Sequence, residues 1–164
     1  MKTLILVRHA KSSWDDAMLS DFDRPLNDRG KRDAPRMAKR LKEKDLLPDL
    51  ILSSPAKRAL ATATLIAEGI TFPVDQIKTD NRIYHASDDE LLSVVQSIDD
   101  SFDLVILFGH NPGLTEFANR LTESRIDNIP TCGILSCKLD VSSWQKVKWG
   151  KAQVKFFDYP KKEH

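Results

Sequence analysis

Short aliphatic runs alternate along this chain with longer stretches in which apolar residues return every three or four positions. Thr3–Val7, Leu50–Ser53 and Leu104–Phe108 are apolar at successive positions, as strands are when helices cover both faces of a sheet. Cys132–Leu139 and Val147–Phe157 are also strand-like, but the second places Lys between apolar residues (Lys155 between Val154 and Phe156). Such a strand is half exposed, and its charge discourages edge-to-edge pairing. Helix starts are marked by local chemistry. Asn27 can cap a helix over 28–44 with Ala34, Met37 and Leu41 on one face. Ser54-Pro55 predicts a cap and first-turn proline for a helix reaching Glu68 and closed by Gly69. Ser87-x-x-Glu90 is a capping box before Leu91, Val94, Val95 and Ile98. Asn111-Pro112 predicts a further cap and proline before a helix through Leu121. The pattern predicts an α/β fold, with helices on both sides of a mostly parallel central sheet and an antiparallel edge.

Length and charge narrow the function classes without choosing one. A chain of 164 residues fits one domain spanning 1–164, large enough to bury roughly 70% of its unfolded surface without disulfides or structural metal. Its 25 Lys+Arg against 24 Asp+Glu give a formal charge of +1, so no global field draws in nucleic acid or an anionic membrane. Leu4-Ile5-Leu6-Val7 is far shorter than the about 20 apolar residues of a membrane span and shorter than the core of a signal peptide. A cytoplasmic protein is expected, with no nucleic-acid or membrane partner. Monomer fits, and the oligomeric state stays open. Cys132 and Cys137 are expected as small core residues, since neither has zinc-ligand spacing nor an arginine where a cysteine-phosphatase loop needs one. The cations from Lys31 to Lys44 read as the solvated face of an amphipathic helix.

Candidate chemistry sits where strands meet helices. The first strand runs into Arg8-His9, the third into Gly109-His110, and the second places Arg58 in the first turn of its helix. In open α/β sheets, ligands bind at the carboxyl ends of strands. Three strand ends therefore aim Arg8, His9, Arg58 and His110 into one crevice backed by helix N-termini, which describes an anion site and most simply a phosphate site. Any one of these residues alone reads equally well as a surface group beside a turn. The set of four argues otherwise.

These residues carry a family resemblance. Leu6-Val7-Arg8-His9-Ala10 resembles the Arg-His-Gly signature of the histidine phosphatase (phosphoglycerate mutase-like) superfamily, with Ala10 where Gly is usual. Asp23-Arg24-Pro25-Leu26-Asn27-Asp28-Arg29-Gly30 is similar to the segment that follows it. Ser53-Ser54-Pro55-Ala56-Lys57-Arg58-Ala59-x-x-Thr62-Ala63 resembles the motif of the second arginine, and Gly109-His110-Asn111-Pro112-Gly113 that of the second histidine. Arg82-Ile83-Tyr84-His85-Ala86-Ser87 and Tyr159-Pro160-Lys161 look like the small SixA-type phosphohistidine phosphatases. The resemblance implies a three-layer α/β/α sandwich and makes His9 a nucleophile that forms a phosphohistidine intermediate. Arg8, Arg58 and His110 then surround the phosphoryl oxygens. No cofactor or metal is implied, because fixed cationic side chains meet the spreading charge.

One departure bears on the substrate. Where many members place a carboxylate as general acid, this chain has His85 and Asn111. An alkoxide leaving group needs a proton donor, whereas a phosphoramidate nitrogen is readily protonated, so phosphohistidine in a protein is the expected substrate. His85 and Asp15 are candidates for proton donation or substrate contact, with Asp16, Asp88 and Asp89 as further sources. His85 reads equally well as a loop residue beside a helix cap. The stretch from Arg58 to His110 is too short for the helical insertions that cover the site in larger relatives, which fits an open site. Trp14 is expected either on its rim or packed beneath its loop. Two alternatives remain: a phosphomonoesterase acting on a small molecule or on phospho-Ser/Thr/Tyr protein, and a binding module for phosphate or phosphoprotein without turnover.

Overall fold

The apolar runs form strands because both of their faces find a hydrophobic partner. In the computed structural model, which describes residues 1–162, the strands are β1 (Lys2–Arg8), β2 (Leu50–Ser53), β3 (Lys78–Thr79), β4 (Leu104–Gly109), β5 (Ile134–Leu139) and β6 (Ala152–Asp158). The helices are α1 (Asp28–Glu43), α2 (Lys57–Gly69), α3 (Asp88–Gln96) and α4 (Gly113–Thr122). The strands form one sheet in the order β3-β2-β4-β1-β5-β6. Pairing is parallel from β3 through β1 and antiparallel across β5 and β6.

Alternation along β1 and β4 builds the two cores. Leu4, Leu6, Val105 and Leu107 face α3 and α4, where Val94, Val95, Leu114 and Phe117 pack with the fully buried Trp144. Ile5, Val7, Ile106 and Phe108 face α1 and α2, against Met37, Leu41, Ala63 and Ile66. A strand with polar residues on one face would leave one of these layers without a floor. The α/β/α sandwich with its antiparallel edge follows from this arrangement. Among the described residues no helix is long and apolar enough to cross a membrane.

Several local expectations hold and others shift for identifiable reasons. Asn27 accepts a hydrogen bond from the Gly30 N–H, and Ser87 and Glu90 form both bonds of the capping box. Ser54 does not cap α2. The N-cap position is Ala56, and Ser54 Oγ instead accepts from the Ala56 N–H at 3.2 Å while facing a histidine discussed below. Asn111 also stands outside its helix, one residue before the N-cap Pro112, yet its side chain still accepts from the Thr115 N–H. The strand expected from Cys132 starts at Ile134, because Cys132 adopts φ 59° and its N–H donates to the carbonyls of Arg8 and His9. The strand expected from Val147 starts at Ala152. Residues 144–146 form a 3-10 turn, and Gly150 turns with φ 75° to donate to the Arg120 carbonyl. The two-residue β3 carries no apolar run and had no signal.

Gly69 ends α2 for a reason other than turn geometry. A Cβ at this position would lie 2.5 Å from the Cβ of Ala38, so the glycine lets α1 and α2 touch. Gly69→Ala should destabilise the fold by about 1–3 kcal/mol through overpacking, outweighing the roughly 1 kcal/mol gained in helix propensity. Adding Ala38→Gly should recover most of the loss in urea unfolding. A Gly69→Ala protein more stable than the native one would show that the helices do not meet here.

Candidate active site

The strands β2, β4 and β1 stop level with one another. Ser53 lies opposite Phe108, Phe108 opposite Val7, and Gly109 opposite Arg8. One residue further, the His9 N–H donates to the Gly109 carbonyl at 3.1 Å and the Ser54 N–H to the Phe108 carbonyl at 3.0 Å. Backbone pairing thus delivers Ser54, His110 and His9 side by side at the carboxyl edge of the sheet, the crevice position of open α/β folds. Arg58 enters from the first turn of α2. One turn later, Thr62 Oγ1 donates to the Arg58 carbonyl at 2.8 Å and accepts from the Ala10 N–H at 2.9 Å, tying α2 to the backbone just after His9.

The two imidazoles lie 5.1 Å apart, centroid to centroid, and both are buried. His9 Nδ1 is 2.8 Å from the Ala10 carbonyl. A carbonyl only accepts, so the proton sits on Nδ1 and the lone pair on Nε2. Burial, reinforced by the charges of Arg58 and Arg8, lowers the His9 pKa to about 4. Burial again, followed by His9 and Arg58, lowers that of His110 to about 3. His110 Nε2 meets Ser54 Oγ at 2.8 Å, which leaves Nδ1 as the nitrogen able to meet a ligand.

The arginines are fixed by different neighbours. Arg8 donates from one terminal nitrogen to the Ile129 carbonyl at 3.1 Å, and Asn111 Nδ2 donates to the same oxygen at 3.0 Å. Arg58 donates to both the carbonyl (2.7 Å) and the carboxylate (3.0 Å) of Asp21. Asp21 also accepts from the Tyr84 hydroxyl at 2.7 Å and from Arg24 at 3.1 Å. Although partial burial opposes ionisation, the bonds from Tyr84 and Arg58 hold the Asp21 carboxyl well below the usual carboxylate range. Arg8 Nε, Arg58 Nε and His110 Nδ1 are buried without a hydrogen-bond partner among the described residues. A buried polar group left unmatched costs about 1–3 kcal/mol, so each of these nitrogens is an unused hydrogen-bonding group at the carboxyl edge of the sheet.

Arg8, His9, Arg58 and His110, expected in one crevice, are thus brought together by the fold. His85 lies at the rim, exposed, with φ 57°. Its ring centroid is 3.9 Å from Tyr84 and 6.5 Å from His110, and its Nε2 is 3.6 Å from Asp21. Asp15 is exposed, and its carboxylate makes no hydrogen bond or ion pair among the described residues. Asp16 accepts from the Met18 N–H, while Asp88 and Asp89 pair with Arg120. Trp14 lies exposed on its loop, its ring under the Arg24 guanidinium at 3.2 Å. Asp21, the carboxylate bonded to Arg58 and Arg24, does not stand out in the sequence from the other aspartates of its loop. Its one signal is its place just before the Asp23–Gly30 motif. The contact between Ser54 and His110 does not stand out either, because Ser54 reads as an ordinary cap.

A family model described as histidine phosphatase superfamily, branch 1, matches residues 4–83. The chain is 33% identical over 153 residues to an uncharacterized chloroplastic protein of Arabidopsis thaliana, covering 88% of this chain and 70% of that one. A structure named for the phosphohistidine phosphatase SixA of Agrobacterium tumefaciens superposes with a TM-score of 0.82 at 25% identity, covering 97% of this chain and 98% of that one. A structure of the protein histidine phosphatase SixA with tungstate shares the fold at the same TM-score and 20% identity, over 96% of this chain and 97% of that one. With the sheet order and the level strand ends, these matches place the protein: the chain belongs to the histidine phosphatase superfamily.

Proposed function

We propose that the protein is a phosphatase that uses His9 as nucleophile and removes phosphate from phosphohistidine in a protein. The observation that carries this reading is the setting of buried His9: Nδ1 faces the Ala10 carbonyl, which leaves the Nε2 lone pair free, and burial with the charges of Arg58 and Arg8 favours the neutral ring. In the first step Nε2 attacks phosphorus in line while the substrate's P–N bond breaks. The bonding pair leaves with the substrate imidazole, which takes a proton. Arg8, Arg58 and the Nδ1 edge of His110 meet the equatorial oxygens. In the second step water attacks phosphorus, the P–Nε2 bond breaks, and phosphate leaves with His9 neutral again. The similarity to SixA phosphohistidine phosphatases supports the same reading.

The choice of substrate rests on Asp21. It is the carboxylate bonded to Arg58, and that bond together with Tyr84 keeps it ionised. An ionised carboxylate has no proton for an alkoxide leaving group. An imidazole leaving group makes a weaker demand, and a proton from water or from His85 at the rim meets it.

His9→Ala should lose at least about a thousandfold in kcat on a phosphohistidine protein, because a nucleophile has no substitute in a covalent mechanism. Acid-quenched native enzyme should carry phosphate on His9. Hydrolysis surviving in the variant would remove His9 from the nucleophile's role. A preference for phosphomonoesters would replace the substrate, and phosphate binding without any turnover would leave a binding module.

The imidazole states are directly measurable. Nitrogen-15 NMR at pH 7 should show His9 as the Nδ1–H tautomer, with titration only near pH 4. A midpoint near the ordinary 6.5 would refute the neutral-nucleophile arrangement. Both folded pKa values lie below the unfolded value, so between about 6.5 and 3 the unfolded chain binds more protons than the native one. Stability should be full above that window and fall as the pH drops through it. Replacing both histidines by glutamine should flatten the decline.

A further inference from the structure

We infer that the exposed face of the loop between β1 and α1 docks the protein substrate, and that the segment it takes carries apolar and basic residues beside the phosphorylated histidine. This rests on the phosphohistidine reading above and adds to it a surface and a partner chemistry. Large apolar side chains are exposed at seven positions of the described chain, and four of them fall in this loop: Trp14 (73%), Met18 (92%), Leu19 (39%) and Phe22 (38%). Scattered exposed hydrophobics are ordinary, but a cluster of them marks an interaction surface.

The patch is continuous with the catalytic crevice. The Phe22 ring meets Tyr84 edge-on at 5.2 Å, and Tyr84 lies 5.6 Å from His110. On the other side Trp14 stacks on Arg24, which bonds Asp21, which in turn holds Arg58. A histidine reaching Nε2 of His9 therefore brings its flanking residues onto this loop.

Charge selects the partner. The loop holds Asp15, Asp16, Asp21 and Asp23 against Lys11 and Arg24, and Arg24 is already committed to Asp21 and the Trp14 ring. Asp21 is paired with Arg58 and Arg24, whereas the exposed Asp15, Asp16 and Asp23 form no ion pair among the described residues. Three uncompensated carboxylates around an apolar patch favour a segment with lysine or arginine beside its apolar residues, and disfavour an acidic one. Another apolar surface, a groove lined by Leu26, Leu60 and Leu65, is edged by Lys31 and Lys57 and by the same logic would favour an acidic segment.

The test uses two phosphohistidine peptides of equal length and leucine content, one flanked by lysines and one by glutamates, together with free phosphohistidine. Binding is measured by anisotropy on the full-length His9→Ala protein and hydrolysis on the native protein. The lysine peptide should bind about tenfold tighter, the sum expected of a few exposed ion pairs. Asp16→Asn with Asp23→Asn, which keeps the loop's hydrogen bonds and removes two charges, should erase most of that preference. Met18→Ser with Leu19→Ser should weaken binding of both peptides while leaving hydrolysis of free phosphohistidine within about twofold, since exposed changes away from the reacting atoms leave the chemistry intact. Equal binding of the two peptides, or tighter binding of the glutamate peptide, would overturn the assignment, the latter moving docking to the lysine-edged groove. A native dimer that the Met18/Leu19 variant dissociates would give the patch to a second copy of the chain and also overturn it. Absence of hydrolysis with the binding preference intact would defeat the phosphatase reading and leave the docking surface standing.

Discussion

Two arginines and two histidines in one poorly hydrated crevice repel one another, and the structure around them depends on limiting that repulsion. Burial and the arginines keep both imidazoles neutral, with pKa values near 4 and 3. Asp21 supplies a negative charge to Arg58 and is fixed by Tyr84 and Arg24. Arg8, whose own pKa is lowered by burial and by Arg58, is steadied by the Ile129 carbonyl. The result is a site with two permanent cations and one counter-ion, in which the phosphoryl group of the proposed substrate would bring the remaining compensation. Its arrival raises the affinity of both imidazoles for protons, so His110 gains its charge when an oxyanion is there to use it.

Holding such groups at hydrogen-bonding distance needs a rigid support, and the sheet provides it. The level ends of β2, β4 and β1 set the positions of Ser54, His110 and His9 through backbone bonds alone. Hydrogen bonds then fix orientation: the Ala10 carbonyl for His9, Ser54 for His110, Thr62 for the joint between α2 and the backbone after β1. Arg58 differs, because its partner Asp21 belongs to a loop. That loop is therefore part of the electrostatic balance of the site, and it also carries the exposed Trp14, Met18, Leu19 and Phe22.

The sheet was legible because burial on both faces forces apolar residues at every position of a strand, and that pattern occurs at Thr3–Val7, Leu50–Ser53 and Leu104–Phe108. The crevice was legible because strand-end placement is a property of α/β connectivity, so Arg8, His9 and His110 could be located without coordinates. Other features left little trace. Gly69 looks like a helix stop, yet its function depends on Ala38 in another helix. Val147 alternates with lysines as a strand residue does, but it is buried beside the 3-10 turn at Trp144. Asp21 is one of several aspartates in its loop, and only the fold selects the one that reaches Arg58.

Near-neutral net charge follows the same logic at a larger scale. A formal charge of +1 gives no long-range pull on phosphate, so selectivity comes from local placement. The crevice is positive, while the loop beside it carries three exposed carboxylates that form no ion pair among the described residues. An acidic rim beside a phosphate site weakens capture of free anions, which any cationic cleft attracts. It costs nothing for a phosphoryl group delivered on a basic segment, whose lysines or arginines neutralise the rim as the phosphate enters. On the proposed reading, a site arranged this way separates two demands that a uniformly positive cleft combines: binding the phosphoryl group tightly in the transition state, and releasing inorganic phosphate once a carrier protein has left.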